Sequence, residues 1–120
     1  MPRYVDGFVL VVPKKRLTEY RALARKAARV WIEHGALDYV ECVGDDLDQK
    51  FGLPFPKLTK LKAGEVVIFS WIIYKSRAHR DAVNKKVMKD PRLQAMMAPE
   101  VMPFDGKRMS MGGFTVLVDA

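Results

Sequence analysis

The sequence predicts an α+β fold: a four-stranded antiparallel sheet with two helices on one face, in the order βαββαβ. Three observations predict it. Four segments (3–12, 36–45, 65–74 and 108–118) are rich in β-branched, aromatic or apolar residues over strand-like lengths. Two longer segments (14–34 and 76–89) repeat apolar residues at helical spacing. Proline or glycine stands close to the ends of most of these segments. That element order is the split βαβ, ferredoxin-like arrangement.

The first strand reads RYVDGFVLVV and stops at Pro13, which cannot donate to a ladder. The first helix places Leu17, Tyr20, Ala24, Ala27, Ala28 and Trp31 on one face, with Arg21, Arg25 and Arg29 on another at i, i+4 spacing. Gly35 is a helix C-terminal signal. The second strand alternates Leu37, Tyr39, Glu41 and Val43 against Ala36, Asp38, Val40 and Cys42. EVVIFSWIIY carries the strongest strand signal in the chain. The second helix starts at a Ser76 N-cap and ends at Asp90-Pro91. RMSMGGFTVLV closes the fold.

At 120 residues the chain is expected to form one domain, 1–120. Hydrophobic residues make up 49% and charged residues 29%, which excludes a disordered chain, and no apolar run is long enough for a membrane helix. The start lacks a basic leader and an apolar h-region, so a cytoplasmic protein is expected. A single cysteine, Cys42, excludes an intrachain disulfide framework and a multi-thiolate zinc site, and reads as an inert buried thiol.

The net charge of +7 invites a nucleic-acid or anion-binding reading, with Arg21, Arg25, Arg29, Lys85 and Lys86 as its residues. The distribution weakens it. No run of five basic residues occurs, and the positive charge falls on predicted helices and one loop, where it also serves solubility.

Two helices cover one sheet face, so the other should be polar. It is not. In the third strand Val67, Phe69, Trp71 and Ile73 oppose Val66, Ile68, Ile72 and Tyr74. In the first, Val5, Val9 and Val11 oppose Phe8, Leu10 and Val12. Burying each such side chain contributes about 1.5–3 kcal/mol, so the economical solution is a second copy packed on the free face about a two-fold axis. The expected assembly is a homodimeric α/β barrel.

Several stretches carry a resemblance: MPRYVDGFVL, WIEHGALDYVECVGDD, PFPKL, VIFSWIIYKSRAHRDAVNKKVMKDPR and MPFDGKRMSMGGF. Together they resemble the small bacterial YbaA-like family of unknown function, essentially from end to end. The resemblance implies a dimeric α+β barrel. It implies no established activity and no agreed catalytic residues.

Motif chemistry is sparse. His79-Arg80-Asp81 matches a kinase triplet, but Asn84 lies three residues after the aspartate where five are needed, and no glycine-rich phosphate loop accompanies it. No Walker loop or dinucleotide fingerprint occurs, so no cofactor is expected, and two histidines without a carboxylate cluster predict no metal site. Asp6 and Glu41 stand inside apolar strands and need partners, for which Arg3, Arg77, Arg80 and Arg108 are available. His34 reads as a helix-end partner or a base, and His79 as a half-buried structural histidine or a base. Asp6, Trp31, His34, Glu41, Tyr74 and His79 are therefore the candidate wall of a pocket for a small, partly apolar molecule. Gly7, Gly112 and Gly113 mark bulges or room for a close neighbour. Residues 47–64 and 90–107 are long connections, read as lids or seals. A ligand-free structural dimer is the remaining alternative, and the sequence identifies no reaction.

Overall fold

The computed structural model describes residues 1–120. Strands β1 (Tyr4–Pro13), β2 (Asp38–Val43), β3 (Glu65–Tyr74) and β4 (Ser110–Thr115) form one sheet in the order β2-β3-β1-β4. All neighbouring strands are antiparallel. Helix α1 (Leu17–Glu33) follows a short 3-10 turn at Lys14–Arg16. Two short helices, α2 (Phe55–Leu58) and α4 (Pro91–Met96), flank β3 and α3 (Arg77–Met88) in the chain.

The helices lie on one face. Tyr4, Ile72 and Tyr74 of the sheet are buried in one cluster with Val30 of α1, Val83 and Val87 of α3, and Leu93 of α4. A second cluster joins Leu10, Val12 and Ile68 to Tyr20 of α1. In β1 the helix-facing side chains are thus the even-numbered ones, and the odd-numbered ones face away.

Local signals set the ends. Ser76 Oγ accepts the His79 amide at 3.2 Å and starts α3. Gly35 ends α1 at φ +114°, a conformation that L side chains rarely adopt. Residues 90–107 prove to hold α4, because Asp90-Pro91 is a start as well as a stop. The Asp90 carboxylate accepts the Arg92 amide at 2.9 Å, and Pro91 sits in the first turn.

Several boundaries differ from the sequence expectation. The second strand spans Asp38–Val43 rather than 36–45, and residues 14–16 form a 3-10 turn ahead of α1. β4 stops at Thr115 rather than continuing to 118, because its partner β1 begins at Tyr4. One further bond, Val116 N–H to Arg3 C=O, closes the ladder, and Leu117 and Val118 extend exposed beyond it.

The face away from the helices is partly open. Val5, Val9, Trp71 and Ile73 are half-buried, and Phe69 and Phe114 are exposed. Phe55 of α2 meets Phe69 edge-on at 6.3 Å, so the 47–64 connection covers part of this face only. Cys42 is exposed rather than buried, because β2 is an edge strand and this residue pairs in register with Phe69.

Gly113 has a steric reason to be glycine. A Cβ there would lie 2.7 Å from Tyr4 Cε2 and 2.9 Å from Arg80 Nη2. Tyr4 and Arg80 are themselves joined by a hydrogen bond of 3.2 Å and a cation–π contact of 4.9 Å. Gly113→Ala is therefore expected to destabilise the fold by about 1–3 kcal/mol through overpacking. Urea unfolding reads this as a lower midpoint with an unchanged slope.

Candidate functional site

A cavity of about 280 Å³ lies between the sheet and the helices. Asp6, Phe8, Leu10, Ser70 and Ile72 form its floor on β1 and β3. Ala24, Ala27 and Trp31 of α1 line one side, and Leu93 and Met96 of α4 another. Six of the seven methionines line it: Met88, Met96, Met97, Met102, Met109 and Met111. Thioethers give a soft, adaptable apolar wall.

The polar groups are few and tied together. Asn84 of α3 is their hub. Its Oδ1 accepts from Trp31 Nε1 at 3.0 Å and from the Tyr74 hydroxyl at 3.2 Å. An indole N–H only donates, so the oxygen must face it, and this fixes the amide orientation. The Nδ2 of Asn84 then donates to Asp6 at 3.4 Å. Arg80 approaches the other oxygen of Asp6 at 3.8 Å. Burial, with the Asp6 charge second, pushes the Tyr74 hydroxyl above its ordinary pKa, so it remains a donor.

Glu41 forms a second polar group with two tyrosines. Tyr39 donates to it at 2.8 Å, and Tyr20 donates to its other oxygen. Burial, the Glu41 charge and these hydrogen bonds together push both tyrosine hydroxyls far up, in that order of weight. Glu41 thus has tyrosine partners rather than an arginine. The arginines are committed elsewhere: Arg108 to Glu65 at 2.5 Å and Arg3 to Asp119 at 2.9 Å. Tyr20, Ala24, Tyr39 and Glu41 also line a neighbouring chamber of about 310 Å³, with Arg21 and Arg25 at its side. The Tyr20–Glu41–Tyr39 group therefore stands between the two chambers.

Of the six sequence candidates, Asp6, Trp31 and Glu41 line the cavity. Tyr74 is fully buried behind it and acts through Asn84. The two histidines lie outside the lining. His34 follows the last turn of α1, where its Nε2 meets Asp90 at 2.9 Å. His79 Nδ1 accepts the Lys75 amide at 2.9 Å, and its ring packs edge-on against Tyr74. Both rings brace helix ends. Arg21, Arg25, Arg29, Lys85 and Lys86 are all exposed on the helices. No three His, Cys, Asp or Glu side chains cluster as a metal site would need. No helix is long and apolar enough to cross a membrane.

Sequence reasoning missed Asn84, Ser70, Tyr20 and Tyr39 as members of this site. One signal was present: Ser70 is the lone polar residue inside the apolar run VVIFSWIIY.

A ferredoxin-like sheet with its helices on one side and a cavity between the layers defines the class: a small α+β protein of the kind seen in several solved structures. Similar folds include a dimeric ferredoxin-like protein from an uncultured marine organism (TM-score 0.61, 15% identity, all of both chains). An uncharacterized NIPSNAP domain protein from Burkholderia xenovorans is also similar (TM-score 0.55, 17% identity, 98% of this chain and 94% of that one). So is a mutant of SnoaB, a cofactor-independent oxygenase from Streptomyces nogalater (TM-score 0.54, 13% identity, 99% and 97%). At these identities the likeness is one of fold. The chain belongs to the family described as "Protein of unknown function (DUF1428)", whose model matches residues 3–106. It is 46% identical over 117 residues to "Uncharacterized protein YbaA" of Escherichia coli strain K12, covering 98% of each chain, and equally to its counterpart in Shigella flexneri.

Helix α4, which carries Leu93 and Met96 over the cavity, is held by Asp90. Arg92 first and His34 second hold the Asp90 carboxyl far below the usual carboxylate range. A folded-state pKa below the unfolded one stabilises above the unfolded value, about 4, and that stabilisation fades as pH falls toward the folded value. Asp90→Asn is therefore expected to melt lower than the parent at pH 6, with the gap narrowing as the pH falls below about 4. Thermal unfolding followed by circular dichroism across that range measures it.

Proposed function

We propose that the protein is a homodimer in which each protomer binds a small, partly apolar molecule between its sheet and its helices. The cavity is the observation that carries this reading. Its lining is mostly apolar, and a few polar groups (Asp6, Ser70, Asn84, Glu41) converge on it, the usual design of a small-molecule site. Ser70 is 6% exposed and adds a hydroxyl to this lining, which suits a polar group on an occupant.

The methionine lining provides the test. Ethylbenzene added to protein carrying ¹³C-methyl methionine is expected to shift the methyl signals of Met88, Met96, Met102 and Met109, and to leave exposed Met1 unmoved. Shifts absent at saturation of the hydrocarbon and of its polar analogues of the same size alike overturn the reading.

Support for the dimer comes from the face away from the helices. Phe69 and Phe114 are 42% and 61% exposed there, beside half-buried Val5, Val9 and Trp71. An apolar area of this kind on a sheet is what a second copy buries in an isologous contact. Light scattering is expected to give twice the 13.7 kDa chain mass at micromolar concentration, and Phe69→Asp to shift it toward a single chain. A parent protein of single-chain mass removes the dimer from the proposal.

A further inference from the structure

The hydrogen-bond inventory of the cavity specifies what its occupant must offer. Most donors on the wall are spent. Trp31 Nε1 and the Tyr74 hydroxyl both donate to Asn84, the Tyr20 and Tyr39 hydroxyls both donate to Glu41, and one Asn84 N–H goes to Asp6. The other Asn84 N–H and the Ser70 hydroxyl are left. Acceptors are in excess, because two carboxylates face the cavity and each can take several hydrogen bonds. No lysine or arginine lines it, although the chain carries 21 of them.

The two carboxylates differ. Glu41 receives two phenolic hydrogens. Asp6 is 4% exposed, and its polar neighbours are Asn84 Nδ2 at 3.4 Å, the Arg80 guanidinium at 3.8 Å and the Tyr74 hydroxyl, whose one proton goes to Asn84. A buried carboxylate is ordinarily satisfied by charge-assisted bonds of about 2.7–2.9 Å. Asp6 is thus an under-coordinated anion at the floor of an apolar cavity. Ser70 is its diagonal neighbour on the same face of the sheet, because Asp6 pairs with Ile72 and Phe8 with Ser70. Such diagonal positions lie about 7–8 Å apart, which leaves room for one polar group between the side chains.

We propose that the cavity takes an apolar molecule bearing a protonated amine, with the ammonium seated between the Asp6 carboxylate and the Ser70 hydroxyl oxygen. This rests on the cavity reading above. The ammonium supplies the donors that Asp6 lacks, and Trp31, Phe8 and the methionines enclose its hydrocarbon body. An anion would face two carboxylates with no cation on the wall.

Three probes of similar size separate the possibilities in the intact protein: 2-phenylethylamine, 3-phenylpropionate and ethylbenzene. Binding is read by methionine-methyl shifts, which also locate the ligand. The amine is expected to bind at least about tenfold tighter than either of the others, the ratio one charge-assisted hydrogen bond supplies. Asp6→Asn is expected to abolish that preference, and Glu19→Gln, which removes an exposed carboxylate of α1 outside the lining, to keep it. Ethylbenzene or phenylpropionate binding as tightly as the amine overturns this inference and leaves the cavity reading standing. A preference that survives Asp6→Asn overturns the assigned seat. If none of the three binds, both readings fall. The parent protein's ranking of the probes carries the result even if Asp6→Asn folds poorly.

Discussion

One carboxamide holds the two layers of this protein in register. Asn84 projects from α3 and joins Trp31 of α1, Tyr74 of β3 and Asp6 of β1. Apart from Arg80 with Tyr4 and Asp6 and Tyr20 with Glu41, the contacts between helices and sheet are largely apolar and therefore indifferent to small slides. The amide is directional, and it has one orientation that satisfies the indole. It fixes where Asp6 points, keeps Trp31 against the cavity, and links both long helices to the central pair of strands. The cavity lies where these layers are pinned at such a point and the small side chains of Ala24 and Ala27 leave the space between α1 and the sheet unfilled.

The sheet was legible in the sequence because its signal is local. Apolar alternation and the Pro13 stop define β1, and the uninterrupted run from Glu65 to Tyr74 defines β3. What failed depended on context. The end of the last strand is not encoded locally, since Leu117 and Val118 look like strand residues and only the end of β1 stops them. Helix α4 is hidden because a proline after Asp90 marks a helix stop as well as a start, and α2 because four residues with a proline among them carry no period.

The site was half legible for a related reason. An acid in an apolar strand is conspicuous, so Asp6 and Glu41 stood out. Their partners did not. Arg3, Arg80 and Arg108 are engaged with Asp119, Asp6 and Glu65, and two tyrosines serve Glu41 instead. Histidine attracts attention by its chemistry, but Asp90 is 56 residues from His34, and nothing local shows that it draws the ring to the outer end of α1. Asn84 is an ordinary helix residue until the fold brings Trp31 and Tyr74 to it.

The Tyr20, Glu41 and Tyr39 side chains line both chambers and form a partition they share. Interior capacity is accordingly a matter of three residues rather than of architecture. A smaller residue in place of Tyr20 would open one long compartment from the methionine wall to the arginines of α1, while the sheet and its strand order stayed as they are. Relatives sharing this scaffold could thus accommodate guests of different length by exchanging one aromatic ring.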